Sequence, residues 1–264
     1  MYILNEKDYI RSVLASKKKP DDLSINYLIT LIAKYYYEDW KENSEKSVND
    51  LIKKVKEMIL NFNINGYQEY LFINRIKTVC SNLYDTSEEN NFKKTFRELD
   101  YIPIYKKEIN AISTLPTDRQ KKFVFTLYAI ARYMDCGGWI NKKDLKGLSE
   151  VFKLANVTLT QEKKNEMLYE LHSKGYIEFC KKIDNLNIRI ALSDPQKDKI
   201  AYKLTEFVNV GNQYIGNFKK GYKQCKNCGK RIKNTGNRKI YCSECAEKIN
   251  RIGTKNRMKE LRNS

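Results

Sequence analysis

The chain has 264 residues and a mass of 31.2 kDa, enough for one large domain or two to three small ones around a hydrophobic core. Hydrophobic residues make up 41% of the sequence and four residues are proline, which excludes a disordered or collagen-like chain. No apolar run reaches the roughly 18 residues of a membrane span, and the first residues do not resemble a signal peptide. We therefore expect a cytoplasmic protein without membrane contact.

Positive charge is concentrated at the C-terminal end. Lys and Arg number 50 against 32 Asp and Glu, a formal net charge of +18. Residues 218–264 hold 15 basic and 3 acidic residues, net +12, whereas residues 1–116 have net +1 and residues 117–217 net +5. Such an excess favours polyanions, and nucleic acid is the commonest polyanion in a cell. The sequence thus predicts a nucleic-acid contact at its C-terminal end.

Residues 1–100 are predicted to form a module of about four helices. Apolar residues recur at helical spacing in four stretches, which cover residues 6–18, 23–36, 48–59 and 67–84. Caps are expected before the second and third helices, at Asp21-Asp22 and Ser44. We expect this module to provide dimerisation or contact with a partner protein.

Residues 101–204 are predicted to form a winged helix-turn-helix domain. Helices are expected from Pro103, over residues 123–134 and 142–155, and over residues 160–174 after a cap at Thr158 or Thr160. After this helix, apolar and polar residues alternate with a period of two, which predicts a β-hairpin with its turn at Asp184-Asn185. Three helices followed by a hairpin is the element order of a winged helix. A strand at Tyr202–Leu204 and a linker helix within residues 205–221 follow.

The third helix of a winged helix usually reads the DNA major groove, and its wing contacts the backbone. Here that helix presents an acidic stripe, Glu162, Glu166 and Glu170, which phosphates would repel. Basic residues near the start of the helix and on the wing could still touch DNA: Lys164, Lys181, Lys182 and Arg189. Contact with DNA, contact with a protein and a structural role are all open for this domain.

Four cysteines form two Cys-x-x-Cys pairs, Cys225 with Cys228 and Cys242 with Cys245, separated by thirteen residues. Two intervening residues let both thiolates of a pair bind one ion from a tight turn, and two pairs complete a closed tetrahedral Zn²⁺ site. In a reducing compartment such a cluster favours metal over disulfides. Residues 222–246 are therefore predicted to be a four-cysteine zinc ribbon folded by one structural Zn²⁺.

Basic residues surround this predicted ribbon. Between the pairs, on the expected hairpin connecting two metal knuckles, lie Lys230, Arg231, Lys233, Arg238 and Lys239. Residues 247–264 are predicted to be a solvated basic tail, in which a helical register would align Lys248, Arg251, Lys255, Lys259 and Arg262. All are candidates for phosphate contacts. The alternative is a basic tail that only raises solubility.

The sequence carries no complete catalytic motif. Its one histidine, His172, excludes most His-based triads, metal centres and nucleases, and is interpreted as a packed or capping residue. Residues 216–223 superficially resemble a phosphate loop but lack its Gly-Lys-Ser/Thr ending. We expect a protein that is not an enzyme, and a metal-dependent nuclease with scattered carboxylates is the least favoured alternative.

A family resemblance is carried by the segments Asp100–Ile104, Phe152–Val157, Lys182–Ile188 and the cysteine cluster Cys225–Cys245. They are similar to a family of uncharacterised proteins encoded by phages and prophages of low-GC Gram-positive bacteria. The resemblance covers about residues 100–250. It implies a phage-encoded protein with a winged helix and a zinc ribbon in the cytoplasm of a bacterial host cell, and it assigns no catalytic residue.

These observations predict a mainly α, non-enzymatic protein that binds nucleic acid, with double-stranded DNA favoured over RNA, and acts in regulation or replication. The alternative is an inhibitor that binds a host or anti-phage defence complex, such as a nuclease effector or RNA polymerase. In that case the basic end would occupy a nucleic-acid channel or contact a ribonucleoprotein. Binding assays on zinc-loaded protein separate the two hypotheses.

Overall fold

A computed structural model describes residues 2–41, 46–87, 90, 92–140, 145–180, 187–218, 221–228, 231–233 and 239–251. Within these ranges the protein is mainly helical, as predicted, with small sheets of two or three strands. The chain divides into two units, Met1–Asp100 and Tyr101–Ser264. Among the described residues, no helix combines the length and the apolar character needed to cross a membrane.

The first unit packs four helices around one core. They are α1 (Glu6–Ser16), α2 (Ile25–Trp40), α3 (Val48–Asn61) and α4 (Glu69–Tyr84). Helix α2 contacts the other three, and its residues from Leu28 to Lys34 are all buried. A helix that is apolar on every side belongs in the centre of a bundle, which explains this placement.

The helix caps differ from the predicted ones. Ser24 and Ser47 cap α2 and α3, and their side chains accept hydrogen bonds from backbone N–H groups within the first turn. The prediction of a cap at Asp21-Asp22 is wrong, because Leu23 is buried in the turn between those residues and the helix. Ser44 lies outside the described residues.

A buried ion pair closes the first unit. Lys34 Nζ lies 3.4 Å from Glu6 Oε2, and both residues are 6% exposed. Glu6 also accepts hydrogen bonds from the Tyr27 hydroxyl at 2.7 Å and the Arg97 N–H at 2.9 Å, while Lys34 donates to the Thr95 carbonyl at 3.0 Å. These contacts connect residues 95–97, near the end of the unit, to α1 and α2.

The second unit alternates helices and short strands. Its helices are α5 (Lys106–Ser113), α6 (Asp118–Met134), α7 (Leu145–Leu154), α8 (Gln161–Ser173), α9 (Val210–Phe218) and α10, which covers residues 243–251. Its strands are β1 (Ile102–Tyr105), β2 (Trp139–Ile140), β3 (Glu178–Phe179), β4 (Ile188–Arg189), β5 (Ile200–Leu204), β6 (Tyr222–Gln224) and β7 (Arg231–Lys233). Helix α6 is buried without interruption from Phe123 to Ala131, and it contacts α5, α7, α9, β1 and β2.

Strands β1 and β5 form an antiparallel pair in which Ile102 lies opposite Leu204 and Ile104 opposite Tyr202. The strand predicted at Tyr202–Leu204 is confirmed, and the helix start predicted at Pro103 is wrong. Pro103 fits this strand because, among the described residues, β1 pairs only with β5, so its missing N–H can face away from the ladder. The helix begins only at Lys106.

The other strands of this region form a three-stranded sheet in the order β2-β4-β3. The predicted hairpin strands are present as β3 and β4, and the turn predicted at Asp184-Asn185 lies outside the described residues. Strand β2 is not predicted from the sequence and comes directly after Gly138. A Cβ at Gly138 would lie 2.2 Å from the Ile190 carbonyl oxygen, so glycine permits the close approach of β2 and β4.

Helix α9 packs closely against α6 and the residue that follows α7. A Cβ added at Gly211 would lie 2.2 Å from the Ala155 carbonyl oxygen and 2.8 Å from Lys122 Cβ. Neither atom is the flexible end of a side chain, so the helices themselves would have to move apart. Gly211 therefore sets the distance at which α9 docks on the helical core.

Gly211→Ala is expected to destabilise the second unit by about 1–3 kcal/mol, because the extra methyl group overpacks this contact. In an exposed helix the same substitution would stabilise the protein by about 1 kcal/mol. A loss of stability would therefore result from the close contact and not from helix propensity. Thermal unfolding followed by circular dichroism measures it. An unchanged or higher Tm would contradict the close packing of α9.

Candidate metal centre and nucleic-acid interface

The four clustered cysteines meet at one point of the second unit. The Sγ atoms of Cys225, Cys228, Cys242 and Cys245 all lie within 4.8 Å of one another. Cys228 is half-buried and the other three are buried. Four sulfur donors at this separation, shielded from solvent, could hold one metal ion. Ile232 and Tyr241 pack against the cluster and cover it.

The first cysteine pair lies in the turn of a β-hairpin. Strands β6 and β7 pair antiparallel, with Gln224 opposite Arg231, so the chain reverses directly after Cys225. Within this turn the Lys226 N–H donates a hydrogen bond to the Ile240 carbonyl at 3.0 Å. That bond draws the segment before the second pair alongside the first pair.

The second cysteine pair lies at the start of a helix, where the sequence predicts a second metal knuckle. Cys242 precedes α10 and Cys245 belongs to its first turn, and the Ala246 N–H donates to the Cys242 carbonyl at 2.8 Å. A helix N-terminus presents unpaired N–H groups and a positive dipole end, both of which stabilise thiolates. Residues 247–251, predicted as part of the tail, belong to this helix.

Hydrogen bonds to the sulfur atoms favour their charged form. The Cys242 N–H donates to Cys225 Sγ at 3.2 Å, the Cys245 N–H to Cys242 Sγ at 3.4 Å, and Asn227 Nδ2 to Cys245 Sγ at 3.3 Å. Burial raises the pKa of Cys225, but N–H donors from Cys242, Cys228 and Asn227 outweigh it and lower the pKa to about 6. The thiolate is the form that binds metal, so these N–H donors stabilise the metal-binding form of the cysteines.

The metal module, residues 221–251, is joined to the helical core by α9. This helix contacts both β6 and β7. Asn209, directly before α9, adopts a left-handed conformation with φ of 48° and donates from Nδ2 to the Cys228 carbonyl at 3.4 Å. Asparagine tolerates this conformation better than most residues, which suits it to the junction.

Apart from Lys164 and Arg189, the predicted phosphate-contact residues fall into three groups. Lys239, Lys248 and Arg251 are described and exposed, whereas Arg231 and Lys233 are placed in β7 by their backbone alone. Outside the described residues lie Lys181, Lys182, Lys230, Arg238, Lys255, Lys259 and Arg262. One exposed lysine was missed, Lys226. Its position inside a Cys-x-x-Cys turn is the signal that could have found it. We call Lys226, Lys239, Lys248 and Arg251 the basic surface.

Two predicted DNA contacts are engaged with aromatic rings of their own unit. Lys164 Nζ lies 5.3 Å from the centroid of the Phe152 ring. The Arg189 guanidinium lies 5.9 Å from the Trp139 ring and forms an ion pair with Glu178 at 3.4 Å. Both basic groups therefore have partners within their own unit, Lys164 on α7 and Arg189 on β2 and β3.

Helix α8 has the predicted division of faces. Its buried residues are Met167, Leu168 and Leu171, and its exposed acidic residues are Glu162, Glu166 and Glu170. Gln120 Nε2 donates to Glu170 at 2.6 Å, which fixes one of these carboxylates. His172 is exposed, and its ring stacks on the Phe179 ring at a centroid distance of 4.9 Å, so it packs on the surface and not in the core. The outer face of α8 is therefore poorly suited to phosphates.

Comparison with known proteins does not assign a function. No protein-family model, no curated protein and no solved structure matches the chain. Functional conclusions rest on the geometry of the metal centre and on the distribution of charge.

Proposed function

We propose that the protein is a non-enzymatic nucleic-acid-binding protein that acts in regulation or replication. Its metal module binds duplex DNA. The observation that carries this proposal is the concentration of charge. Residues 218–264 have a net charge of +12, and the described part of this segment exposes Lys226, Lys239, Lys248 and Arg251. Lys and Arg clustered on one small module are the electrostatic footprint of nucleic-acid binding.

Zinc is the ion we propose for the cysteine cluster. Four sulfur ligands with no histidine, carboxylate or open position are typical of a structural tetrahedral Zn²⁺ site. Four thiolates and one Zn²⁺ together add a charge of −2, so residues 218–264 keep a net charge of +10. The metal would thus hold β6, β7 and α10 together while the module remains strongly basic.

We also propose that α6, β2, α7, α8, β3 and β4 form a winged helix. The element order and the sheet order β2-β4-β3 support this assignment, with the β3–β4 hairpin as the wing. The acidic outer face of α8 favours a protein contact or a structural role for this domain. In this proposal the basic surface of the metal module, and not the winged helix, binds the phosphates.

Binding of the zinc-loaded full chain to a short DNA duplex is expected to weaken about 100-fold between 50 mM and 200 mM salt. Four cations at phosphates give a slope of about −3.6 in log K against log[salt], because bound counterions are released. Fluorescence anisotropy across a salt series measures this slope. Equal affinity at both salt concentrations would contradict electrostatic binding.

Lys248→Ala combined with Arg251→Ala is expected to make the salt slope less steep by about two, roughly one for each lost phosphate contact. The matched control is Lys53→Ala with Lys77→Ala, two exposed helix lysines of the first unit. The same slope in both double variants would show that α10 does not touch DNA. Failure of the wild-type chain to bind DNA or RNA would favour the alternative, an inhibitor whose basic surface docks into a host complex.

A further inference from the structure

A cleft of about 390 Å³ lies where the metal module meets β5 and α9. It is lined by Tyr202, Thr205, Glu206, Val208, Gln213, Asn227 and Cys228. Its volume falls at the lower end of the range of about 300–1,000 Å³ found for small-ligand sites. The cleft therefore suits a ligand of one or two rings.

The base of the cleft is held in place by hydrogen bonds. Gln213 is 8% exposed, and its Oε1 accepts from the Tyr202 hydroxyl at 2.9 Å. Its Nε2 donates to the carbonyls of Glu206 at 3.2 Å and Val208 at 2.9 Å. The loop carrying Thr205, Glu206 and Val208 is thus ordered without a ligand, which lowers the entropy cost of binding.

The lining is mostly polar, and Val208 and Tyr202 supply its apolar part. Val208 is 54% exposed and lies with the half-buried Tyr202 along one cleft. Glu206 is exposed, and within the described part of the chain no Lys or Arg forms an ion pair with it. A carboxylate offers two acceptor oxygens and no donor, so its partner must present neighbouring N–H groups.

Organic cations and nucleobases both present such groups, and the charge around the cleft favours the nucleobase. An organic cation would be repelled by the basic surface, which includes Lys226, the neighbour of Asn227 in the same turn. A nucleobase arrives with a phosphate that this lysine attracts. Guanine carries two adjacent donors, N1–H and the N2 amino group, on its Watson–Crick edge, and this edge is free only in an unpaired base.

We propose that this cleft binds one unpaired guanine of the nucleic acid held by the metal module. The proposal rests on the proposed function, since the phosphates of the same strand occupy the basic surface. The Glu206 carboxylate accepts from guanine N1–H and N2–H, Val208 and Tyr202 contact the faces of the ring, and Lys226 binds the adjacent phosphate. The protein would thereby distinguish a junction between duplex and single strand from uninterrupted duplex.

The test uses the zinc-loaded full chain and a duplex with a single-stranded overhang of pyrimidines around one guanine. Affinity is measured by fluorescence anisotropy and compared with probes that carry inosine or an abasic site at that position. The guanine probe is expected to bind at least about fivefold more tightly, the lower end of the discrimination given by a bidentate base contact. Inosine, which lacks the amino group, is expected to fall between the two.

Glu206→Gln is expected to abolish the preference for guanine and to keep salt-dependent binding. Glu162→Gln, an exposed carboxylate on α8, makes the same charge change away from the cleft and should keep both. Equal binding of guanine and abasic probes with an intact salt slope would overturn the guanine site alone. No binding of any probe would overturn the proposed function itself.

Discussion

Replacing Glu108 with alanine is expected to destabilise the second unit by about 3–5 kcal/mol, the cost of leaving one partner of a buried ion pair alone. Glu108 is 1% exposed and forms an ion pair with Arg132. Its two carboxylate oxygens also accept from the N–H groups of Ser193 at 3.0 Å and Tyr105 at 2.9 Å. One side chain thus connects α5, α6, β1 and the segment after β4.

The expected loss of stability is large because Glu108→Ala leaves Arg132 buried. Its side chain is 9% exposed, donates to the Ser193 carbonyl at 2.9 Å and lies 4.3 Å from the centroid of the Tyr105 ring. Without Glu108 it would remain buried, and among the described residues no other carboxylate forms an ion pair with it. Urea unfolding followed by circular dichroism gives the loss in free energy of unfolding.

Two controls separate the buried charge from other effects of the substitution. Glu178→Ala breaks an ion pair with Arg189 whose side chains are 47% and 66% exposed, and should cost less than about 1 kcal/mol. The double variant Glu108→Leu with Arg132→Met removes both charges and should recover part of the loss. If the Glu108→Ala variant were as stable as the Glu178→Ala control, the explanation by an unpaired buried Arg132 would be wrong.

Cys228→Ser is expected to abolish stoichiometric zinc binding and to unfold the metal module. Apparent binding free energies of structural Zn²⁺ sites are about 10–16 kcal/mol in small zinc domains, so a lost ligand removes most of the energy that folds β6, β7 and α10. Cys228 is the half-buried member of the cluster, which keeps the loss of packing small. Elemental analysis of the purified variant gives zinc per chain.

The matched control is Cys136→Ser, which changes an exposed cysteine outside the cluster and should keep one zinc per chain. Proteolysis of the Cys228→Ser variant should cut first within residues 221–251 and leave the first unit intact. Retention of one zinc by the variant would contradict the four-cysteine site.

Sequence alone locates the metal cluster because ligand chemistry requires cysteines at fixed spacing. It also locates most helices, since α3, α4 and α8 each have a repeating apolar face and α2 is apolar over most of its length. It does not locate β1 or β2. Pro103 in β1 predicts a helix start, and the partner strand β5 comes about a hundred residues later in the chain. Strand β2 has two residues after Gly138 and, unlike β3 and β4, is not part of a longer alternating segment.

The buried ion pairs and the second half of the metal module also lie beyond sequence reasoning. Glu6 and Lys34 are 28 positions apart and Glu108 and Arg132 are 24 apart, and nothing in the sequence marks them as partners. Residues 243–251 have no apolar stripe, so the helix α10 is not evident before the position of Cys242 and Cys245 is known. The cleft beside Glu206 likewise depends on the docking of α9.

The closure of the first unit has an evolutionary consequence. Asn5 pairs with Glu98, and the Glu6 N–H donates to the Arg97 carbonyl at 2.8 Å, so the chain begins and ends this unit side by side. A module whose two ends meet can be gained, lost or exchanged in one recombination event without opening its core. Related chains would then share the second unit and its cysteine cluster while carrying unrelated N-terminal units.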